Sequence, residues 1–159
     1  MANSVSVYKS GVHGALTNYD VAYRPDGVRI AYDSKTLNDT KSIGKNWQNM
    51  INDLATEAST VHTRFPYAVV AFIVAVPAPA LSSSQGSALI RTLERMATRV
   101  HVRDEAHLAE AIAFVVWDPS KGTVSNTTPP QSSPIHLSNF SNSIYSRYID
   151  RYKGLPPHD

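Results

Sequence analysis

Two aspartates and a lysine in the stretch "NYDVAYRPDGVRIAYDSK", residues 18–35, are the residues best suited by type and spacing to do chemistry. Asp20 opens one short run of strand-like residues and Asp33 closes the next. The turn between them brings both acids to the same end of a hairpin. Lys35 follows Asp33 at a spacing of two, so the pair shares one face of an extended strand. Carboxylates opposed across a strand pair repel each other, which costs stability and raises one pKa of the pair unless a cation lies between them. A hard divalent ion resolves the conflict, because Mg²⁺ takes carboxylate oxygens, keeps several waters and accepts phosphate as a remaining ligand. A lysine beside it can hold a water or hydroxide and offset charge that builds on phosphorus.

The elements that must position these groups are legible in the alternation of residue types. Val28, Ile30 and Tyr32 fall on one face of a strand at 28–35, and Arg29, Ala31, Asp33 and Lys35 on the other. Matching the apolar faces pairs Tyr23 with Ile30, Val21 with Tyr32 and Asp20 with Asp33. A three-residue loop built on Arg24-Pro25-Asp26-Gly27 would instead set Val21 across from Ala31 and Tyr23 across from Arg29. A four-residue loop from Pro25 to Val28 restores the apolar match and spares Pro25 from donating to the ladder, and is the expected form.

Downstream, "SIGKNWQNMINDLATEASTV" carries Ile43, Trp47, Met50, Ile51, Leu54, Ala58 and Val61 at helical spacing, with Ser42 as a candidate cap. Residues 67–76 read as a fully buried strand ended by "PAPA". A Ser-capped helix over about 84–99 and a second buried strand at 111–118 follow. Residues 119–139, rich in Ser, Thr and Pro, read as a long surface loop, and 140–152 as a last helix ended by Gly154 and two prolines. The order of elements predicts one α/β domain over residues 1–159, a mixed central sheet flanked by helices.

Asp20, the tripeptide Asp33-Ser34-Lys35, the helix from about 42 and the strand "YAVVAFIVAV" together resemble the PD-(D/E)xK nuclease superfamily, which includes restriction endonucleases and Holliday junction resolvases. The resemblance covers roughly residues 8–80, with "GVHGA" similar to the small-residue loop ahead of the first acid in resolvase-like members. It implies a restriction-endonuclease-like fold and a Mg²⁺-dependent DNA endonuclease, most simply of restriction type, with Mn²⁺ as a substitute metal. Asp20 and Asp33 would bind the metal, the backbone carbonyl of Ser34 would complete its shell, and Lys35 would orient the attacking water. The position before Asp20 is Tyr19 where the family has proline, and the literal "PD" at Pro25-Asp26 lies at the hairpin tip, away from the motif. Cutting both strands of double-stranded DNA takes two sites, which predicts a homodimer.

A formal charge of +2 is only mildly basic, so contact with nucleic acid must come from local groups. The candidates are Lys41, Lys45, Asn46 and Gln48 beside the motif, His62 and Arg64 near the start of the buried strand, and Arg91 and Arg95 on the second helix. Arg99 extends that last stripe, Arg147, Arg151 and Lys153 form a similar one, and Gln48 could also support the metal ligands. Without cysteine there is neither a disulfide framework nor a thiolate metal site. No apolar run is long enough for a bilayer and "MANSVSVYKSG" lacks a signal-peptide pattern, so the expectation is a soluble, cytoplasmic protein with no membrane partner. No amphipathic helix stands ahead of Asp20, where the nuclease family carries one. The alternative is therefore a non-catalytic nucleic-acid-binding or protein-interaction module that retains the fold.

Overall fold

A computed structural model of the chain describes residues 19–38 and 43–158. Five strands form one mixed sheet in the order β1 (Val21–Tyr23), β2 (Ile30–Thr36), β3 (Val69–Pro77), β4 (Ala111–Asp118) and β5 (Thr123–Val124). The β1–β2 and β4–β5 pairs are antiparallel, and β2, β3 and β4 run parallel. Helices α1 (Ile43–Arg64), α2 (Ser83–Met96) and α3 (Leu137–Tyr152) flank the sheet. The chain is thus an α/β fold with a five-stranded mixed sheet. Among the described residues no helix is long and apolar enough to cross a membrane.

The hairpin adopts the register expected from its apolar faces: Val21 pairs with Tyr32, Ala22 with Ala31 and Tyr23 with Ile30. The loop closes through the Arg29 N–H, which donates to Tyr23 O at 2.9 Å, and Gly27 takes a φ of 133° that favours glycine. Asp26 of the literal "PD" forms a two-pronged ion pair with Arg29, with both contacts at 2.8 Å. Arg29 is buried, lies 4.7 Å from the centre of the Tyr152 ring and donates to Pro156 O at 2.6 Å, so this pair pins the C-terminal segment to the hairpin.

Parallel pairing of β2 with β3 and of β3 with β4 requires two crossovers, and α1 and α2 supply them. Met50, Leu54, Ala58 and Val61 of α1 and Leu89, Leu93 and Met96 of α2 share one apolar cluster with Val70, Phe72, Val74, Ile112 and Phe114. Ala31 of β2 belongs to the same cluster, so the more polar face of β2 is the one turned under α1. Its other face meets α3, where Ile30 joins Val69, Tyr148 and Tyr152, and Tyr32 sits edge-on to Phe140.

Three boundaries differ from the sequence expectation. Helix α2 stops at Met96, and the Arg99 N–H donates to Ala109 O in the turn that follows. Helix α3 begins at Leu137, where the N-cap His136 accepts from the Ser138 N–H at 3.2 Å. The 119–139 segment contains β5, too short for periodicity to show, because Trp117 and Asp118 of β4 find partners in Val124 and Thr123. Ser42, the expected cap of α1, lies outside the described residues.

At the amino ends of β3 and β4 a fully buried carboxylate holds four elements together. Glu110 accepts from the Val70 N–H at 2.8 Å and from Arg99 Nε at 3.0 Å, and meets Arg151 at 2.8 Å and His62 Nε2 at 3.1 Å. Burial alone would raise its pKa, but His62, Arg151 and the Val70 amide outweigh burial and hold it below the ordinary glutamate value. Removing that charge while its cationic partners stay buried should cost about 3–5 kcal/mol. Urea unfolding of Glu110→Gln should show this loss, and a change near zero would mean that the arginines find other partners.

Candidate functional site

Continuing the hairpin register by one pair sets Asp20 opposite Asp33, at the middle of β2, with Lys35 nearer its carboxyl end. Asp33 and Lys35 pair in the sheet with Phe72 and Val74 of the main core, so both side chains point under α1. Asp33 is 4% exposed, which excludes a simple solvated acid at a hairpin end.

The site holds a third acid that the sequence reading missed. Glu57 of α1 stands among the inward residues Leu54, Ala58 and Val61, and it is buried with them. Its signal was present in the sequence as a carboxylate on the apolar stripe of an amphipathic helix. Lys35 Nζ lies 2.6 Å from Asp33 Oδ2 and 2.7 Å from Glu57 Oε1, so one ammonium is shared by two carboxylates. The contact with Glu57 is an aligned hydrogen bond, whereas the contact with Asp33 is a close ion pair without that alignment. Asp33 Oδ2 and Glu57 Oε2 are both buried and without a hydrogen-bond partner. The Tyr19 hydroxyl donates to the backbone carbonyl of Glu57 at 2.8 Å, tying the residue ahead of Asp20 to α1.

Asp20 is exposed and held by Ser34, whose amide donates to Asp20 Oδ2 at 3.0 Å and whose hydroxyl donates to the same oxygen at 2.5 Å. The same amide donates to Asp33 Oδ1 at 2.9 Å. Ser34 therefore bridges the two aspartates through its N–H and hydroxyl. These bonds, the hydroxyl foremost, hold the Asp20 pKa below the ordinary aspartate value. At Asp20 the bonds from Ser34 outweigh repulsion from the opposed acid. The raised acid is Glu57, which burial pushes up to about 7 against the opposing pull of Lys35. Burial works against the Lys35 ammonium too, yet its bonds to Asp33 and Glu57 prevail and raise its pKa.

Among the described residues no three His, Asp or Glu side chains are grouped so as to hold a metal ion directly. Asp33 and Glu57 instead converge on Lys35. The donor set still suits a hard cation: oxygen ligands only, with Asp33 Oδ2 and Glu57 Oε2 buried without an aligned hydrogen bond and Asp20 alongside. One or two protein carboxylates are what Mg²⁺ sites that also bind phosphate commonly provide.

The candidate nucleic-acid contacts divide. Asn46 and Gln48 are exposed on the first turns of α1, roughly 14–17 Å from Glu57 along the helix at about 1.5 Å per residue. Lys41 and the Lys45 side chain lie outside the described residues. Arg91 and Arg95 are exposed on α2, opposite its inward residues Leu89 and Leu93. Arg64 is exposed at the far end of α1, where it lines a cleft with Gly27 and Tyr67 away from the acids. His62 is 3% exposed and bound to Ala106 O and Glu110, so its assignment to a nucleic-acid surface is overturned by burial. Arg99 and Arg151 leave the proposed surface stripes for the same reason, being spent on Glu110 and on backbone carbonyls.

The Glu57 carboxyl gives the metal-free fold a pH dependence of definite sign. Its folded-state pKa of about 7 lies above its ordinary 4.5, so the folded chain binds the proton more tightly than the unfolded chain does. The stability it contributes is fully present below 4.5 and is lost as pH rises through about 7. In EDTA, the melting temperature of the wild type should fall relative to Glu57→Gln between about pH 5 and about pH 8. Parallel curves for the two proteins would show that Glu57 does not titrate in this way.

No protein-family model, curated protein or solved structure matches the chain, so the chemistry of this site rests on its geometry.

Proposed function

We propose that the chain is a Mg²⁺-dependent DNA endonuclease of restriction-endonuclease-like fold that hydrolyses phosphodiester bonds in double-stranded DNA. The observation that carries this reading is the convergence of Asp20 from beside β1 with Asp33, Ser34 and Lys35 from β2, including a buried Asp33 oxygen that has the Lys35 ammonium beside it but no aligned hydrogen bond. Asp20, Asp33 and the Ser34 carbonyl would hold the cation, with Mn²⁺ as its substitute. Bound there, the cation supplies Lewis-acid polarisation of the phosphoryl oxygen and a more acidic water.

The chain's own residues do the rest. Lys35, on a flexible stem and partly exposed, releases a carboxylate and places its ammonium beside the attacking water and the phosphate. A water oxygen bonds to phosphorus and gives up one proton to solvent as the bond to one sugar oxygen breaks, and the departing oxygen takes up a proton from solvent. Ser34 keeps Asp20 and Asp33 in fixed relation through its amide and hydroxyl. Asn46, Gln48, Arg91 and Arg95 are accessible for backbone or base-edge contacts, and Lys41 and Lys45 belong to the same proposed surface. A homodimer in the cytoplasm, each copy cutting one strand, completes the reading.

One observation favours a second reading, a nucleic-acid-binding module without catalysis. Lys35 is already paired to two acids, a partly compensated network that can stand without metal. A plasmid-nicking assay separates the two readings. The first expects cleavage with Mg²⁺ or Mn²⁺ that stops in EDTA and falls about 100-fold or more in Asp33→Asn and Lys35→Ala, both still folded. Retained DNA binding in Ca²⁺ with no cleavage under any metal would assign the second. In either case the double variant Arg91→Ala, Arg95→Ala should flatten the salt dependence of DNA affinity by about one unit of slope per lost phosphate contact. An unchanged slope would return these arginines to a solvated helix face.

A further inference from the structure

We propose that Glu57 is a carboxylate ligand of the metal centre, binding the same divalent cation as Asp33 after Lys35 gives up its place between them. The inference rests on the metal-dependent reading above and adds to it a ligand from α1, outside the hairpin motif.

The placement of Glu57 is the first argument. It occupies a position on α1 between Leu54 and Val61 that an apolar side chain would fill, and an ionisable group buried there is costly unless it is partnered. Its partner is one ammonium shared with a second acid, so the cluster sets one positive charge against two carboxyl groups. Asp20, tied to the same Ser34 amide as Asp33, adds a third negative group at its edge. Lys35 is thus too little charge for the acids it faces.

The incompletely satisfied oxygens are the second argument. Glu57 Oε2 is buried without a partner, and Asp33 Oδ2 is buried with only the unaligned Lys35 ammonium beside it, on two side chains that are each more than nine-tenths buried. Glu110 shows that this chain satisfies a buried acid fully where the acid is only structural, with an amide and two arginines among its partners. A divalent cation with several open coordination positions accepts oxygens from both acids at once, including Glu57 Oε2, which the shared ammonium leaves without a partner.

The third argument is mobility. Asp33 is anchored by the Ser34 amide, and the Glu57 backbone by its helix and the Tyr19 hydroxyl. Lys35 carries a long flexible stem, and its side chain is 28% exposed, so it is the member of the cluster free to swing outward. Lys35 therefore holds the place of the cation in the metal-free protein and competes with it.

Titrating the intact chain with Mn²⁺, followed by calorimetry and by the electron paramagnetic resonance signal of free Mn²⁺, tests this without any cleavage readout. The wild type should bind Mn²⁺, Glu57→Gln should bind it at least tenfold more weakly with its circular dichroism unchanged, and Lys35→Met should bind it more tightly. If Glu57→Gln binds as tightly as the wild type, Glu57 is only the counter-ion of Lys35 and the inference falls while the metal-dependent reading stands. If Glu57→Gln does not fold, Lys35→Met decides: equal or weaker binding than the wild type overturns the place-holding role and the inference with it. A wild type that binds no Mn²⁺ removes the metal-dependent reading itself, and this inference falls with it.

Discussion

Parallel pairing of β2 with β3 obliges the chain to cross over one face of the sheet, and α1 is that crossover. Everything distinctive about the candidate site follows from it. A hairpin alone would leave Ala31, Asp33 and Lys35 on an open face, where the acid would be solvated and the lysine pair worth little. With α1 laid over them, Ala31 enters the core, Asp33 is desolvated and Lys35 becomes the nearest cation to two acids from different elements. The crossover also carries Glu57 into the site from far along the chain.

The fold contains two buried acids under contrasting constraints. Glu110 sits among an amide, two arginines and a histidine, and these partners hold its pKa down in spite of burial. Glu57 has one shared lysine and an oxygen with no donor, and burial pushes its pKa up. Full compensation makes the first a structural joint between α1, β3, the segment after α2, and α3. Incomplete compensation leaves the second able to accept something more. The two clusters are separate: Asp33 lies beside Phe72 on β2, whereas Glu110 bonds the Val70 amide from the β4 side of β3.

The tightness of the hairpin supports the same division. Arg29 gathers Asp26, the Tyr148 hydroxyl, the Tyr152 ring and Pro156 O at the turn end of the hairpin, which fastens β2 and the C-terminal segment at the far end from Asp33. Ser34 does the corresponding work at the acid end, holding two carboxylates with one amide and one hydroxyl. Between these points β2 is held at both ends, and Lys35 is the partly exposed member of the site.

The sequence by itself determined the period-two and period-3.6 patterns, and with them the hairpin register, the existence and type of α1 to α3, and the buried character of β3 and β4. Those features depend on contacts between near neighbours in the chain, so alternation and turn chemistry record them. Asp20, Asp33 and Lys35 were legible for the same reason, since a single hairpin brings them together. Tertiary structure alone decided that Glu57 joins them, because that meeting depends on which face of β2 the crossover covers. It decided the burial of His62, Arg99 and Arg151 as well. Each of these has the composition of a surface residue, and each is drawn inward by Glu110, a charge fixed in space by β4 and invisible to local pattern. Electrostatic partnership acts through space between distant segments, whereas periodicity records only which side of its own element a residue occupies.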